Sequence, residues 1–318
     1  MLGLEEKLYL KVGRKEYDLI VSGKYNFIIG DSSTGKTELQ HSLLQAAQGV
    51  PYSYSGFLPL IRFTDLVKQN WVTPQSIIVV DEDDIFGYNR NAIVQFAREN
   101  SHCWILCVRS MIGELPTSVF DIYTMKRSGR YHAMKRVYGL GDFTTTMDTP
   151  SAIVCEDSAA GFRMVKEKFS SRVREITSAH SKDTVELEAM KCAEPVALAV
   201  DLCGYGYNVA STLDAISRGR GWNILCNQSF ESQMLESRLL SEVIASHRKH
   251  RLIDLLEFTC EEEYYTQYVD DMSRWLYGRG YGKQYGTLCK ELVGTRDMEW
   301  LLPQIRINSG LRRLDLDA

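Results

Sequence analysis

The feature that most constrains this chain is an apolar run, residues 25–29, that ends on Gly30-Asp31-Ser32-Ser33-Thr34-Gly35-Lys36-Thr37 and passes into apolar residues at helical spacing over residues 37–47. A buried strand must here give way to a helix through a turn with two glycines, the residues that adopt left-handed backbone without steric cost. Such a turn presents successive main-chain N–H groups and a helix N-terminus, and both attract negative charge. Lys36 and Thr37 add a point cation and a hydroxyl at the start of the helix. Those are the groups needed to reach the outer phosphates of a polyphosphate and a Mg²⁺ ion beside it.

The surrounding pattern fits an α/β sheet. Two alternating runs, residues 7–12 and 16–21, flank Gly13-Arg14-Lys15 and read as a hairpin. Residues 76–80 form a second buried strand, residues 91–99 a helix, and residues 103–108 a third strand. This alternation predicts a parallel sheet, and such sheets bind ligands beyond the carboxyl ends of their strands. At that edge Asp81 is placed to hold Mg²⁺ through water, Glu82 to polarise an attacking water, and Arg109 to stabilise transition-state charge. Plainer readings exist for each: Asp83 and Asp84 extend an acidic run that suits a solvated strand end, and a strand-end arginine can simply satisfy loop carbonyls.

Composition narrows the function classes. A formal charge of −4 and a pI near 5.9 exclude a protein whose whole surface is a nucleic-acid footprint. The basic clusters Lys126, Arg127, Arg130, Lys135, Arg136 and His247, Arg248, Lys249, His250, Arg251 read as a solvated hairpin and a solvated helix end, with local nucleic-acid contact as the alternative. The eight cysteines include no Cys-x-x-Cys pair, and most lie in apolar runs, as reduced thiols of a cytoplasmic protein do. No uninterrupted apolar stretch suffices to span a bilayer, and Met1 is not followed by a basic segment and a long apolar one. The expectation is a cytoplasmic protein without a membrane partner.

Residues 30–37 match G-x-x-x-x-G-K-[ST], and with the acidic strand at residues 77–82 the first 140 residues resemble the P-loop NTPase superfamily. The hairpin ahead of the loop and the Asp81-Glu82 pair make it more similar to ATP-binding-cassette-like and recombination-type ATPases than to GTPases. No Asn-Lys-x-Asp guanine-reading motif is present, which favours ATP over GTP. No Leu-Ser-Gly-Gly-Gln signature lies between Lys36 and Asp81, so a cassette-type head-to-head dimer is not implied. The resemblance implies ATP held by Gly30, Asp31, Ser32, Ser33, Thr34, Gly35, Lys36 and Thr37, and Mg²⁺ held by Thr37 and Asp81. Lys36, Glu82 and Arg109 would be the catalytic residues.

Residues 141–150 are polar and read as a linker, after which a second alternation starts. Strands are expected at residues 152–155, 173–176, 196–200 and 222–226, with helices at 159–169, 184–190 and 209–217. Glu156 and Asp201 close two of these strands and would converge at one sheet edge as a Mg²⁺ site for phosphodiester chemistry, or else cap the helices that follow. Residues 150–230 resemble the Toprim domain of topoisomerases, primases and overcoming-lysogenisation-defect nucleases. Glu156 stands for that domain's glutamate and Asp201 for the first residue of its Asp-x-Asp, while Cys203 occupies the second acidic place. Asp157 or Glu231 would have to substitute.

From Glu231 onward the period is mostly helical, clearest over residues 232–247, with an aromatic and basic stretch at 275–285 that suits packing or single-stranded nucleic acid. The expected organisation is therefore a P-loop NTPase domain at 1–141, a Toprim-like α/β domain at 151–231 and a helical C-terminal subdomain at 232–318. The function expected of it is ATP hydrolysis coupled to nucleic-acid processing or genome defence, with DNA or RNA as partner. The alternative is a regulatory ATPase switch whose second domain binds a protein partner or another copy of the chain.

Overall fold

In the computed structural model residues 5–30, 35–71, 73–140, 150–227, 229–235, 251–278, 280, 306–308 and 311–313 are described. Asp31, Ser32, Ser33 and Thr34, the linker residues 141–149, His247 to His250 of the second basic cluster, and most of residues 232–247 and 275–285 beyond Gly278 lie outside them. The chain divides into two compact units. One comprises Met1–Tyr138, His250–Glu261 and Arg313–Ala318, and the other Gly139–Lys249 and Glu262–Arg312.

In the first unit β1 (Glu6–Val12) and β2 (Lys15–Val21) form the antiparallel hairpin that the alternation predicts. Leu8, Leu10 and Val12 of β1 and Tyr17, Leu19 and Val21 of β2 are its buried face. β3 (Tyr25–Ile28) is wholly buried and leads to α1 (Lys36–Ala47). Residues 51–74, which carry no clear period, fold as β4 (Tyr52–Ser55), β5 (Leu60–Arg62) and α2 (Phe63–Lys68), the helix anchored by fully buried Phe63 and Leu66. Then come β6 (Ile77–Asp81), α3 (Glu82–Gly87), α4 (Arg90–Glu99), β7 (Cys103–Cys107), β8 (Ile122–Ser128) and β9 (Tyr131–Arg136).

The nine strands make one sheet in the order β4-β1-β2-β9-β8-β3-β7-β6-β5. It is mixed rather than purely parallel: β8, β3, β7, β6 and β5 run parallel, whereas β9 opposes β8 and β1 opposes β2 and β4. Every second residue of the central strands, Tyr25, Phe27, Ile78, Val80, Trp104 and Leu106, enters one cluster with α2 and α4. A polar residue inside that run is satisfied. Asn26 is fully buried, accepts from the Ser22 amide (3.0 Å) and donates to the Gly23 and Trp104 carbonyls (2.7 and 3.2 Å), pinning the turn that starts β3.

β10 (Tyr138–Leu140) falls at the boundary between the units. The second unit holds β11 (Ala152–Cys155), α5 (Ala160–Phe169), β12 (Glu175–Ser178), α6 (Val185–Ala189), β13 (Val196–Asp201), α7 (Val209–Ser217), β14 (Trp222–Asn227) and α8 (Phe230–Leu235). β12 starts two residues later than the apolar run at 173–176 predicts, because the Val173 amide still donates to Phe169 O (2.9 Å) in the turn that ends α5. The sheet order is β12-β11-β13-β14, parallel throughout, with β15 (Arg306–Asn308) added antiparallel along β14. A three-residue strand is too short to show a period, and β15 falls where the pattern reads as helical. C-terminal helices α9 (Leu252–Leu255) and α10 (Glu261–Tyr277) are present, and among the described residues no helix is long and apolar enough to cross a membrane.

Candidate functional site

Both loop glycines adopt backbone that L side chains rarely reach, with φ +135° at Gly30 and +93° at Gly35. Gly35 is the N-cap of α1 and offers no side-chain cap, so the first amides of that helix have no side-chain acceptor from it. Lys36 is buried and its Nζ donates to Gly30 O, which draws the two ends of the loop together. Thr37 is exposed in the first turn. A cavity of 440 Å³ also lies in this unit, but it is lined by Leu43, Ala46 and Ala47 at the far end of α1, with Tyr52 and Tyr54, away from these groups.

The parallel register sets Ile28 of β3 and Asp81 of β6 each opposite Cys107 of β7, so β3, β7 and β6 end at one level. Gly30, Arg109 and Glu82 all leave the sheet at that edge. Asp81 caps α3: its Oδ1 accepts from the Glu82 amide (2.8 Å), and its own amide donates to Asp84 Oδ2 (2.9 Å). Burial pushes its carboxyl upward, Asp83 and Glu82 adding to this, while the Glu82 amide and Lys36 oppose it. Glu82 pairs with Arg109, Oε2 to Nε at 3.0 Å. The two residues placed separately by sequence are thus each other's partner.

Of the first basic cluster, Arg136 donates to Phe120 O (3.0 Å) and pairs with Glu5 (2.9 Å), while Arg130 lies over the Tyr131 ring. The Arg130 contact lies within the β8–β9 hairpin, whereas Arg136 reaches residues outside it. Cys103, Cys107, Cys155 and Cys203 are buried, and burial raises the thiols of Cys103, Cys107 and Cys155 far above their ordinary range, which keeps those three protonated.

In the second unit β11 and β13 are neighbours, and Glu156 and Asp201 do meet at their carboxyl ends: the Asp201 amide donates to Glu156 Oε2 (3.1 Å). Among the described residues Glu156 caps no helix. Asp157 takes that role, accepting from the Ala159 and Gly161 amides (2.8 and 2.7 Å) at the start of α5. Burial raises Glu156 to about 7, with Glu262 and Asp157 adding and the Asp201 amide and Lys182 opposing. Asp201 is raised well above the usual carboxylate range by burial and then by Glu156, Glu231, Glu262 and Asp157.

Glu156, Asp157 and Asp201 line a cavity of about 40 Å³ whose remaining wall includes Val200 and Phe230. Roughly 10–15 Å³ suffices for a water. Among the described residues, however, no three His, Cys, Asp or Glu side chains are grouped so as to hold a metal. Cys203, where the Toprim resemblance would expect a second acidic residue, is buried.

Sequence reasoning missed three participants. Glu262 and Lys182, distant in sequence from both strand ends, act on Glu156. His132 of β9 lies against Gly35, a contact created only by hairpin pairing, and a lone histidine in an alternating strand gives no signal. Compared with known proteins, the chain matches no protein-family model, no curated protein and no solved structure.

Proposed function

We propose that this chain is a Mg²⁺-dependent ATPase whose first unit binds and hydrolyses ATP at the carboxyl edge of β3, β7 and β6, and whose second unit is a divalent-cation-dependent nucleic-acid-processing domain governed by nucleotide state. The observation that carries the reading is the pair of left-handed glycines around a loop that ends in a twelve-residue helix with glycine as its N-cap and Lys36 at its first position. That combination supports an anion site built from main-chain amides, which carry partial positive charge without needing a proton. ATP rather than GTP follows from the missing guanine-reading motif.

For Mg²⁺ the donors fit in kind: the Thr37 hydroxyl is in the first turn of α1, and the Asp81 carboxylate ends β6 at the same edge. Capping of α3 holds the Asp81 side chain in one orientation. When bound by Thr37 and Asp81, the ion would supply positive charge that neutralises charge developing on the phosphates. Lys36 would exchange Gly30 O for phosphate oxygen, and Glu82, released from Arg109, would accept the proton of the attacking water. Arg109 would then be free to meet charge on the transferred group. Lys36→Ala should remove binding of the magnesium complex of an ATP analogue in calorimetry, and normal uptake by that variant would overturn the assignment.

In the second unit Mg²⁺ keeps several waters and needs only one or two carboxylates, so Glu156 and Asp201 fit it as a site completed by water. Crowding of anionic groups around Asp201 favours a cation there. Divalent-dependent cleavage of DNA or RNA that disappears in Glu156→Ala and Asp201→Ala would support this reading. One observation favours a second reading, a regulatory switch whose second unit binds a protein partner without chemistry: Asp157 is used as a cap and Cys203 brings no charge, and among the described residues no third acidic side chain joins Glu156 and Asp201 in a group that could hold a metal. Absence of cleavage and of nucleic-acid binding over a broad substrate panel would select it.

A further inference from the structure

β8 pairs with β3 only through Ile122 and Tyr123, then runs on to Ser128 while β3 gives way to the glycine loop. β9 returns beside it with Arg127 opposite His132 and Met125 opposite Met134, so the hairpin flanks the start of α1. His132 is 2% exposed, stacked on Tyr17 at 4.7 Å between ring centroids. Tyr17 is itself tied to α1, through Glu38 O (3.1 Å) and Ser42 Oγ (2.7 Å). Among the atoms a Cβ at Gly35 would meet, His132 Nδ1 is nearest, at 3.2 Å. That nitrogen is buried and has no hydrogen-bond partner among the described residues. A buried polar atom left unpaired is costly, and where a native fold keeps one, a ligand or ion is a ready explanation.

We propose that His132 is a binding residue of the nucleotide site, its Nδ1–H donating to a phosphate oxygen of the nucleotide held at the N-terminus of α1. The inference rests on the ATP-site reading and deepens it with a residue that the loop motif does not contain. Lys15, which pairs with Glu38, and Arg127 are the charged neighbours that act on the imidazole. Burial, then Arg127 and Lys15, lower its basicity, so it is a neutral ring with one N–H to donate, in surroundings that favour an anion. The Tyr17 stack holds the ring plane, and glycine at position 35, which has no Cβ, lets Nδ1 approach the start of α1 closely.

The test compares the wild type with His132→Phe, which keeps the ring stack and removes both nitrogens, and His132→Asn, whose amide can replace Nδ1. Each is titrated by calorimetry with the magnesium complex of a non-hydrolysable ATP analogue. His132→Phe should bind about tenfold to a hundredfold more weakly, the range for a hydrogen bond to a charged group, with an apo Tm no lower than wild type. His132→Asn should stay within about threefold of wild type, since it keeps a donor at that place. As a check that needs no variant to fold, the His132 Nδ1 resonance of ¹⁵N-histidine-labelled wild-type protein should shift on saturation with the analogue. Wild-type uptake with equal affinity in His132→Phe, or with an unmoved Nδ1 resonance, overturns the assignment of His132 alone. No uptake by the wild type overturns the ATP-site reading, and this inference falls with it.

Discussion

At the carboxyl edge of β3, β7 and β6 the acidic side chains have partners: Asp81 caps α3 and Glu82 is paired with Arg109. Lys36 and the N-terminus of α1 add positive potential. At the edge of β11 and β13 the acidic side chains mainly face one another, and Lys182 is the cation that acts on Glu156. Two parallel edges, each reached by strands that end in carboxylates, are thus compensated in opposite senses. The first is suited to receive an anion, the second a cation or a proton. The comparison shows why a carboxylate at a strand end is not informative alone: what distinguishes the two sites is the charge that surrounds it.

The sharpest way to break the comparison is at Lys36. Its replacement by Ala is expected to weaken uptake of magnesium-ATP analogue by at least about a hundredfold, since a charge-assisted contact to two phosphates is lost. Calorimetry reads this directly. Next in size, Glu82→Gln should bind the analogue as wild type does while steady-state hydrolysis falls by about 10²-fold, the usual effect of removing a general base. Unchanged turnover would leave Glu82 as a surface partner of Arg109.

The second edge is tested by pH. The folded state raises Glu156 from an ordinary value of 4.5 to about 7, so the folded protein binds its proton more tightly than the unfolded chain. The contribution to stability is therefore full below about pH 4.5 and is lost as pH rises through about 7. Glu156→Gln should raise Tm at pH 8 by a few degrees, corresponding to about 1–2 kcal/mol, and change little at pH 5. Millimolar Mg²⁺ should lift the wild-type Tm at pH 8, chelator should reverse this, and Glu156→Gln should blunt it. Thermal melts across pH and Mg²⁺ would expose a failure of either part.

The smallest effect serves as a control. Asp121 of the first unit is buried, accepts from Ser22 Oγ (2.5 Å), and is pushed up to about 7 by burial, with Ser22 and Arg136 opposing. Asp121→Asn should raise stability at pH 8 by an amount similar to that of Glu156→Gln, about 1–2 kcal/mol, but its effect on the response to Mg²⁺ should be nil. A change in the Mg²⁺ response would mean that the pH window of Glu156 has been misassigned.

Much of this was legible in the residues. The hairpin at β1 and β2, the strand into α1, α7 and the carboxylate-bearing ends of β6, β11 and β13 all follow from period and punctuation, because the burial of alternate or every third and fourth residue is a local property. The glycine requirement at positions 30 and 35 was equally local, since left-handed backbone is a property of one residue at a time. Residues 51–74 were not legible: β4, β5 and α2 are short, and their apolar residues are buried by neighbours from elsewhere in the chain.

Which residue types stand at strand ends and loop turns is written in the order of the residues. Which of them meet is settled by strand order and packing. Strand order brings Glu82 to Arg109 and Glu156 to Asp201, hairpin pairing brings His132 to Gly35, and packing assigns the capping role to Asp157 rather than Glu156. Hydrogen bonding, ion pairing and desolvation act over a few ångströms between groups tens of residues apart, and separation along the chain does not encode those distances.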